Sequence, residues 1–181
     1  MTTGRRVALL RGINVGRAKR VSMAELRAAV EGLGYGGVQT LLNSGNVVFT
    51  AADAADSTAE AAERIERAVA ERTGVTSRVT VLTGDEVATT VAESPVAGEF
   101  DASRLLVAVV RDPALLRRLE PLRAEDWSPD ALGVGTRAAY LHCAGGILES
   151  RLPDAVGRLL GDGVTTRNWA TLSRLHALVA A

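Results

Sequence analysis

A single cysteine, Cys143, stands in 181 residues, so neither an intrachain disulfide framework nor a cysteine-rich zinc site can be built. The two histidines, His142 and His176, are far apart in sequence and offer no chelating spacing. Aromatic residues are scarce, with two each of Trp, Tyr and Phe, too few for a sheet that stacks nucleic-acid bases. No apolar run approaches the roughly 20 residues that cross a bilayer. The N-terminus has no apolar stretch of the signal-peptide kind, so a cytoplasmic location and no membrane partner are expected. Lysine is also nearly absent: Lys19 is the one lysine among 21 basic residues. In so alanine-rich a chain, this reads as compositional bias more than as selection for arginine chemistry.

What is present is apolar residue, 47% of the chain, enough to bury a core and to exclude wholesale disorder. The formal net charge of zero conceals an uneven distribution. Residues 1–50 carry seven basic and two acidic side chains, residues 51–100 four and ten, and residues 101–181 ten and nine. A basic first segment favours an anionic partner, provided that no acidic surface cancels its field.

Taken in order, residues 5–10 form an apolar strand. Ser22-Met23-Ala24-Glu25 then matches a capping box and opens a helix carrying Met23, Leu26, Val30 and Leu33 at helical spacing, stopped by Gly34. Residues 38–42 and 47–50 flank Asn43-Ser44-Gly45-Asn46 and read as a hairpin. A second capping box, Ser57 to Glu60, opens a charged helix that ends at Gly74, and residues 79–83 alternate as a strand. This βαββαβ order predicts a ferredoxin-like α+β half with an antiparallel sheet and two helices on one face. Residues 85–93 predict a short helix. Residues 94–103 mix proline, glycine and charge and read as a linker between a first half, 1–93, and a second, 104–181.

In the second half, residues 105–110 are an uninterrupted apolar strand, and Asp112-Pro113 starts a helix. Residues 131–134 and 138–143 read as strands, 153–160 as a helix ended by Gly161, and 169–179 as a terminal helix. Thr165-Thr166-Arg167-Asn168 reads as the approach to that helix. The second half thus follows a similar element order, βαββα plus a helix.

Four segments hold the candidate site. Gly12 and Gly16 bracket Arg11-Gly12-Ile13-Asn14-Val15-Gly16, where positive φ would let backbone N–H groups meet an anion beside Arg11 and Asn14. The spacing is neither a dinucleotide fingerprint nor a Walker loop, so no cofactor is called. A plain connection, with Asn14 bonded to its own backbone, is the competing reading. Ser44 and Asn46 are either a tight turn or ligand contacts. Ser150 and Arg151 precede one helix start, and Arg167 and Asn168 precede another, where they either cap and pack or hold an anion. Cys143 reads as a small buried hydrophobe.

These segments resemble a widespread bacterial group, the "domain of unknown function 1697" family. The resemblance rests on Leu10-Arg11-Gly12-Ile13-Asn14-Val15-Gly16, Met23-Ala24-Glu25-Leu26-Arg27, Ser44-Gly45-Asn46-Val47-Val48-Phe49, Tyr140-Leu141-His142 with Ser150-Arg151-Leu152, and Thr166-Arg167-Asn168-Trp169 followed by Thr171 and Leu175. It implies an α+β fold with a ferredoxin-like part and almost nothing about activity. The chain departs from the family pattern at Arg17, Ser22 and Arg151, where glycine, proline and lysine are usual.

The reading that follows is binding of a phosphate- or carboxylate-bearing ligand, an anionic small molecule or a nucleic acid, in a cleft between the halves. Its residues are Arg11, Gly12, Asn14, Gly16, Ser44, Asn46, Ser150, Arg151, Arg167 and Asn168. A transferase or hydrolase using the same residues, and an interaction module with no small-molecule site, are the alternatives. Convergence of Arg11, Arg151 and Arg167 on one ligand is the expectation that geometry can test.

Overall fold

A computed structural model of the chain describes residues 4–53, 55–95 and 100–181. It contains two four-stranded antiparallel sheets with helices, an α+β architecture whose two halves repeat one element order. In the first half, β1 (Arg5–Leu10), α1 (Met23–Glu31), β2 (Gly36–Leu41), β3 (Asn46–Thr50), α2 (Thr58–Thr73) and β4 (Val79–Thr83) pair in the order β2-β3-β1-β4. That order is consistent with a ferredoxin-like arrangement.

Both capping boxes form as the sequence predicts. The Ser22 and Ser57 hydroxyls each accept from the N3 backbone N–H, while Glu25 and Glu60 reach back to the N-cap N–H. Replacing Ser57 with alanine is therefore expected to lower unfolding free energy by about 1 kcal/mol in urea denaturation. The helices lie over one sheet face, where Ala8 and Leu10 of β1 and Phe49 of β3 meet Leu26 and Val30 of α1 and Ile65 and Val69 of α2. Fully burying side chains of this kind gives about 1.5–3 kcal/mol each. Gly74, at φ +72°, ends α2 in the left-handed conformation that L side chains avoid.

The second half comprises β5 (Leu105–Val110), a 3-10 helix (Pro113–Leu119) running into the short α4 (Glu120–Arg123), β6 (Ala131–Val134), β7 (Ala138–His142), α5 (Leu152–Leu160) and β8 (Val164–Asn168). Its sheet order, β6-β7-β5-β8, repeats that of the first. α3 (Gly84–Ala92) follows β4, and α6 (Trp169–Ala180) closes the chain. Two differences from the sequence reading stand out. The segment after Asp112 winds as 3-10 helix before it becomes α-helix. Residues 164–168, read as the approach to a helix, form the edge strand β8 against β5, with Arg167 opposite Val107. Val164, Thr165 and Thr166 are β-branched, but only the pairing partner makes this short run a strand.

The chain divides into two compact units, Met1–Val87 with Leu175–Ala181, and Ala88–Arg174. The divisions fall within α3 and within α6. Of the linker expected at 94–103, residues 96–99 lie outside the described residues. Among the described residues, no helix is long and apolar enough to cross a membrane.

Candidate functional site

In the first unit, the Gly12–Gly16 loop is fastened to the β2–β3 turn. Asn14 sits at φ +54°, and its Nδ2 donates to the carbonyls of Val21 (2.8 Å) and Asn43 (2.7 Å). Its Oδ1 accepts from the Val21 N–H at 2.9 Å. Both amide donors are thus committed to backbone, and Asn14 is a staple between two loops. Asn46 is wholly buried and donates to the Leu41 carbonyl (2.8 Å) and to Ser44 Oγ (2.9 Å), which ties the turn to itself. The backbone of Arg11 is held from both sides: its N–H donates to the Arg78 carbonyl, and its own carbonyl accepts from Ser77 Oγ. Gly12 and Gly16 take φ of +66° and +62°, with open space where a Cβ would stand. The structure therefore brings Arg11, Gly12, Asn14, Gly16, Ser44 and Asn46 to one end of the first sheet. There the two asparagines build scaffold.

The second unit holds a pocket of about 610 Å³ between α4 and α5. One face of α5 supplies Asp154, Ala155, Arg158 and Leu159, with Arg151 just ahead of the helix. Pro121, Leu122, Glu125 and Trp127 face them, and Leu148, 97% exposed, stands at the rim with Glu149 and Ser150. The Arg151 guanidinium carbon lies 5.8 Å from the centroid of the Trp127 ring, within cation–π range. Trp127 is itself fixed by its Nε1–H, which donates to the Leu122 carbonyl at 2.7 Å. Neither Arg151 nor Arg158 has an ion-pair partner among the described residues. Ser150 is held by hydrogen bonds: its Oγ donates to Asp130 Oδ2 at 2.6 Å and accepts from the Leu152 N–H, while Asp130 Oδ1 takes the Ala144 N–H. That bonding makes Ser150 a clamp for the segment that enters α5.

Arg167 and Asn168 are placed elsewhere. Ala108 of β5 belongs to the core under α5, with Leu141, Leu152 and Val156, and it pairs with Thr166. Arg167, one residue on, therefore faces away from α5 and from the pocket. It is buried, its NH1 donates to the Thr166 carbonyl, and burial draws its pKa down to about 10. Asn168 Oδ1 accepts the Thr171 N–H and caps α6, the capping alternative offered by the sequence. Arg151 and Arg167 thus lie on opposite faces of one sheet, and a single anion cannot join them. The expectation of arginine convergence is corrected for this pair, because alternation along β8 decides it.

A family described as "Protein of unknown function (DUF1697)" matches residues 3–140. The chain belongs to this family. The match takes in the Gly12–Gly16 loop and the β2–β3 turn, while Ser150, Arg151, Arg167 and Asn168 lie beyond it. This DUF1697 chain is also similar to a solved structure, described as that of conserved bacterial protein SP0830 from Streptococcus pneumoniae. The two share 23% identity over 97% of this chain and 98% of the other, with a TM-score of 0.75, a likeness in fold. No curated protein matches the sequence.

His142 lies on β7 beside Leu141, a core residue under α5, so its ring faces the other way. Among the described residues, neither buried ring nitrogen has a hydrogen-bond partner, and the ring packs on Phe100 at 4.8 Å. It is not in the pocket with Ser150, and a serine–histidine pair does not form there. Cys143 is buried in the core, and burial raises its thiol pKa, as suits an inert side chain. Among the described residues, no group of three His, Cys, Asp or Glu side chains is set to hold a metal ion. Sequence reasoning passed over Trp127 and Arg158. Arg158 could have been found from its seven-residue spacing to Arg151, which puts both on one helix face.

Proposed function

We propose that the second unit binds a small ligand carrying a phosphate or carboxylate, with its apolar body on Trp127, Leu122 and Leu159 and its anionic group at Arg151 and Arg158. One observation carries the reading: two guanidinium groups without ion-pair partners line a pocket with an apolar wall, one of them beside the Trp127 ring. A volume of about 610 Å³ lies within the usual range for small-molecule sites. The proposal keeps the ligand class inferred from the sequence and moves its contacts to Arg151 and its neighbours.

Glu125, Glu149 and Asp154 also line the pocket. Three carboxylates would repel a bare polyphosphate, while they accept hydrogen bonds from hydroxyl or amino groups. The favoured ligand therefore combines one acidic group with such donors. Nothing in the bonding of Ser150 frees it as a nucleophile, so binding is favoured over covalent catalysis.

The test is a low-salt thermal-melt screen of sugar phosphates, nucleoside monophosphates, amino acids and hydroxy acids. A ligand at ~100 times its dissociation constant adds about 2.7 kcal/mol, a readily measured shift. Arg151→Ala should abolish the shift and Trp127→Leu should weaken it, with the ligand-free melt of Arg151→Ala unchanged. Shifts of equal size in wild type and Arg151→Ala would place the ligand elsewhere, and no shift with any member would favour the interaction-module alternative.

A further inference from the structure

We infer that the loop end of the first unit is a docking surface for the phosphate backbone of duplex nucleic acid. It is separate from the proposed pocket and does not depend on it. No aspartate or glutamate occurs before Glu25, whereas Arg17, Lys19 and Arg20 stand exposed within four consecutive positions. The carboxylate that follows, Glu25, is exposed but engaged by the capping box, where it accepts from the Ser22 N–H and hydroxyl. Across the sheet end, residues 74–78 add no acidic side chain, and the Lys19 ammonium donates to the Thr76 carbonyl at 3.2 Å. Arg17 and Arg20 have no ion pair or side-chain hydrogen bond among the described residues, so their donors face solvent.

The loops that carry these cations are also stiff. Asn14, Lys19 and Leu42 are the non-glycine residues with positive φ among those described, and all three lie in these joined loops. Such conformations cost free energy and persist only where surrounding bonds enforce them. Here those bonds are Asn14 N–H to the Lys19 carbonyl, the three contacts of the Asn14 amide, and Ser77 Oγ to the Arg11 carbonyl. The cations thus project from a platform that loses little freedom on binding.

The choice of partner follows from what the surface lacks. Single strands are held by stacking bases on aromatic rings, and no Trp, Tyr or Phe occurs between residues 7 and 34. Membrane surfaces likewise recruit Trp and Tyr anchors, and the large apolar side chains exposed here among the described residues are Val15 (71%) and Leu42 (49%). A duplex keeps its bases stacked internally and presents phosphates, which arginine forks recognise in pairs of hydrogen bonds.

The test is fluorescence anisotropy with labelled short DNA and RNA duplexes at rising salt, comparing wild type with Arg17→Glu/Arg20→Glu. Three phosphate contacts give a slope of log K against log salt of about −2.7, and loss of two should bring it near −1. The variant should bind at least ~10-fold more weakly at low salt with an unchanged melt. Either duplex giving this pattern supports the inference. Absence of binding at low salt, equal binding by the variant, tighter binding of a single strand, or preference for vesicles of anionic lipid would each overturn it.

Discussion

Replacing Asp56 with alanine is expected to lower the unfolding free energy by about 3–5 kcal/mol, the scale for breaking a buried ion pair by removing one partner. Asp56 lies just ahead of the Ser57 cap of α2, and its side chain is 5% exposed. It accepts a hydrogen bond from Tyr35 Oη at 2.7 Å and pairs with Arg64 at 3.1 Å and with Arg6 at 4.0 Å. Arg6 comes from β1, opposite Phe49, with its side chain 8% exposed, and it also donates to the Asp56 backbone carbonyl. Without the carboxylate, the Arg6 guanidinium stays buried with no opposing charge, and the Tyr35 hydroxyl loses its acceptor. Tyr35 already registers this environment: burial first, then its hydrogen bond to Asp56 and the Asp56 charge, raise its pKa. Tyr35→Phe removes one hydrogen bond to a charged group and should cost about 1.5–3 kcal/mol. Urea denaturation separates the two variants. A loss below about 1 kcal/mol for Asp56→Ala would show that water relieves Arg6 and that the cluster is not a structural clasp.

Gly45→Ala should be the most damaging single-methyl change in the first unit, at about 2–5 kcal/mol. Gly45 sits at φ +88°, and a Cβ there would stand 2.8 Å from both Leu10 Cβ and Ile13 Cδ1. The Leu10 Cβ is the root of a side chain and cannot swing aside, so relief needs movement of β1 or of the turn. Overpacking of this kind costs about 1–3 kcal/mol, and the left-handed backbone adds roughly 1–2 kcal/mol for an L residue. The Gly45 carbonyl also accepts the Leu10 N–H at 2.8 Å, so movement of the turn would disturb the bond that seats it on β1. Gly12→Ala is the control. Its φ of +66° carries the backbone cost, but a Cβ there meets nothing within 4 Å. Equal losses for the two variants in chemical denaturation would contradict the packing argument.

The amino-acid sequence by itself determined the features whose causes lie within a few residues. Ser22 with Glu25, and Ser57 with Glu60, cap their helices because donor and acceptor stand three positions apart. Gly74 ends α2, Asn168 caps α6, and the first six elements follow from hydrophobic period and turn chemistry. The family was legible for the same reason, since its motifs are short and contiguous. The tertiary structure alone decided what depends on distant partners. Residues 164–168 are a strand because β5 offers a ladder, and that ladder turns Arg167 away from Arg151. Trp127 meets Arg151 only after α4 and α5 pack, and Arg6 finds Asp56 only when β1 runs beneath the loop before α2. Capping and turn formation are settled by bonds the local chain supplies. Strand identity, the face a side chain takes and the charge that neutralises a buried arginine are set by residues far along the chain, which only folding brings within reach.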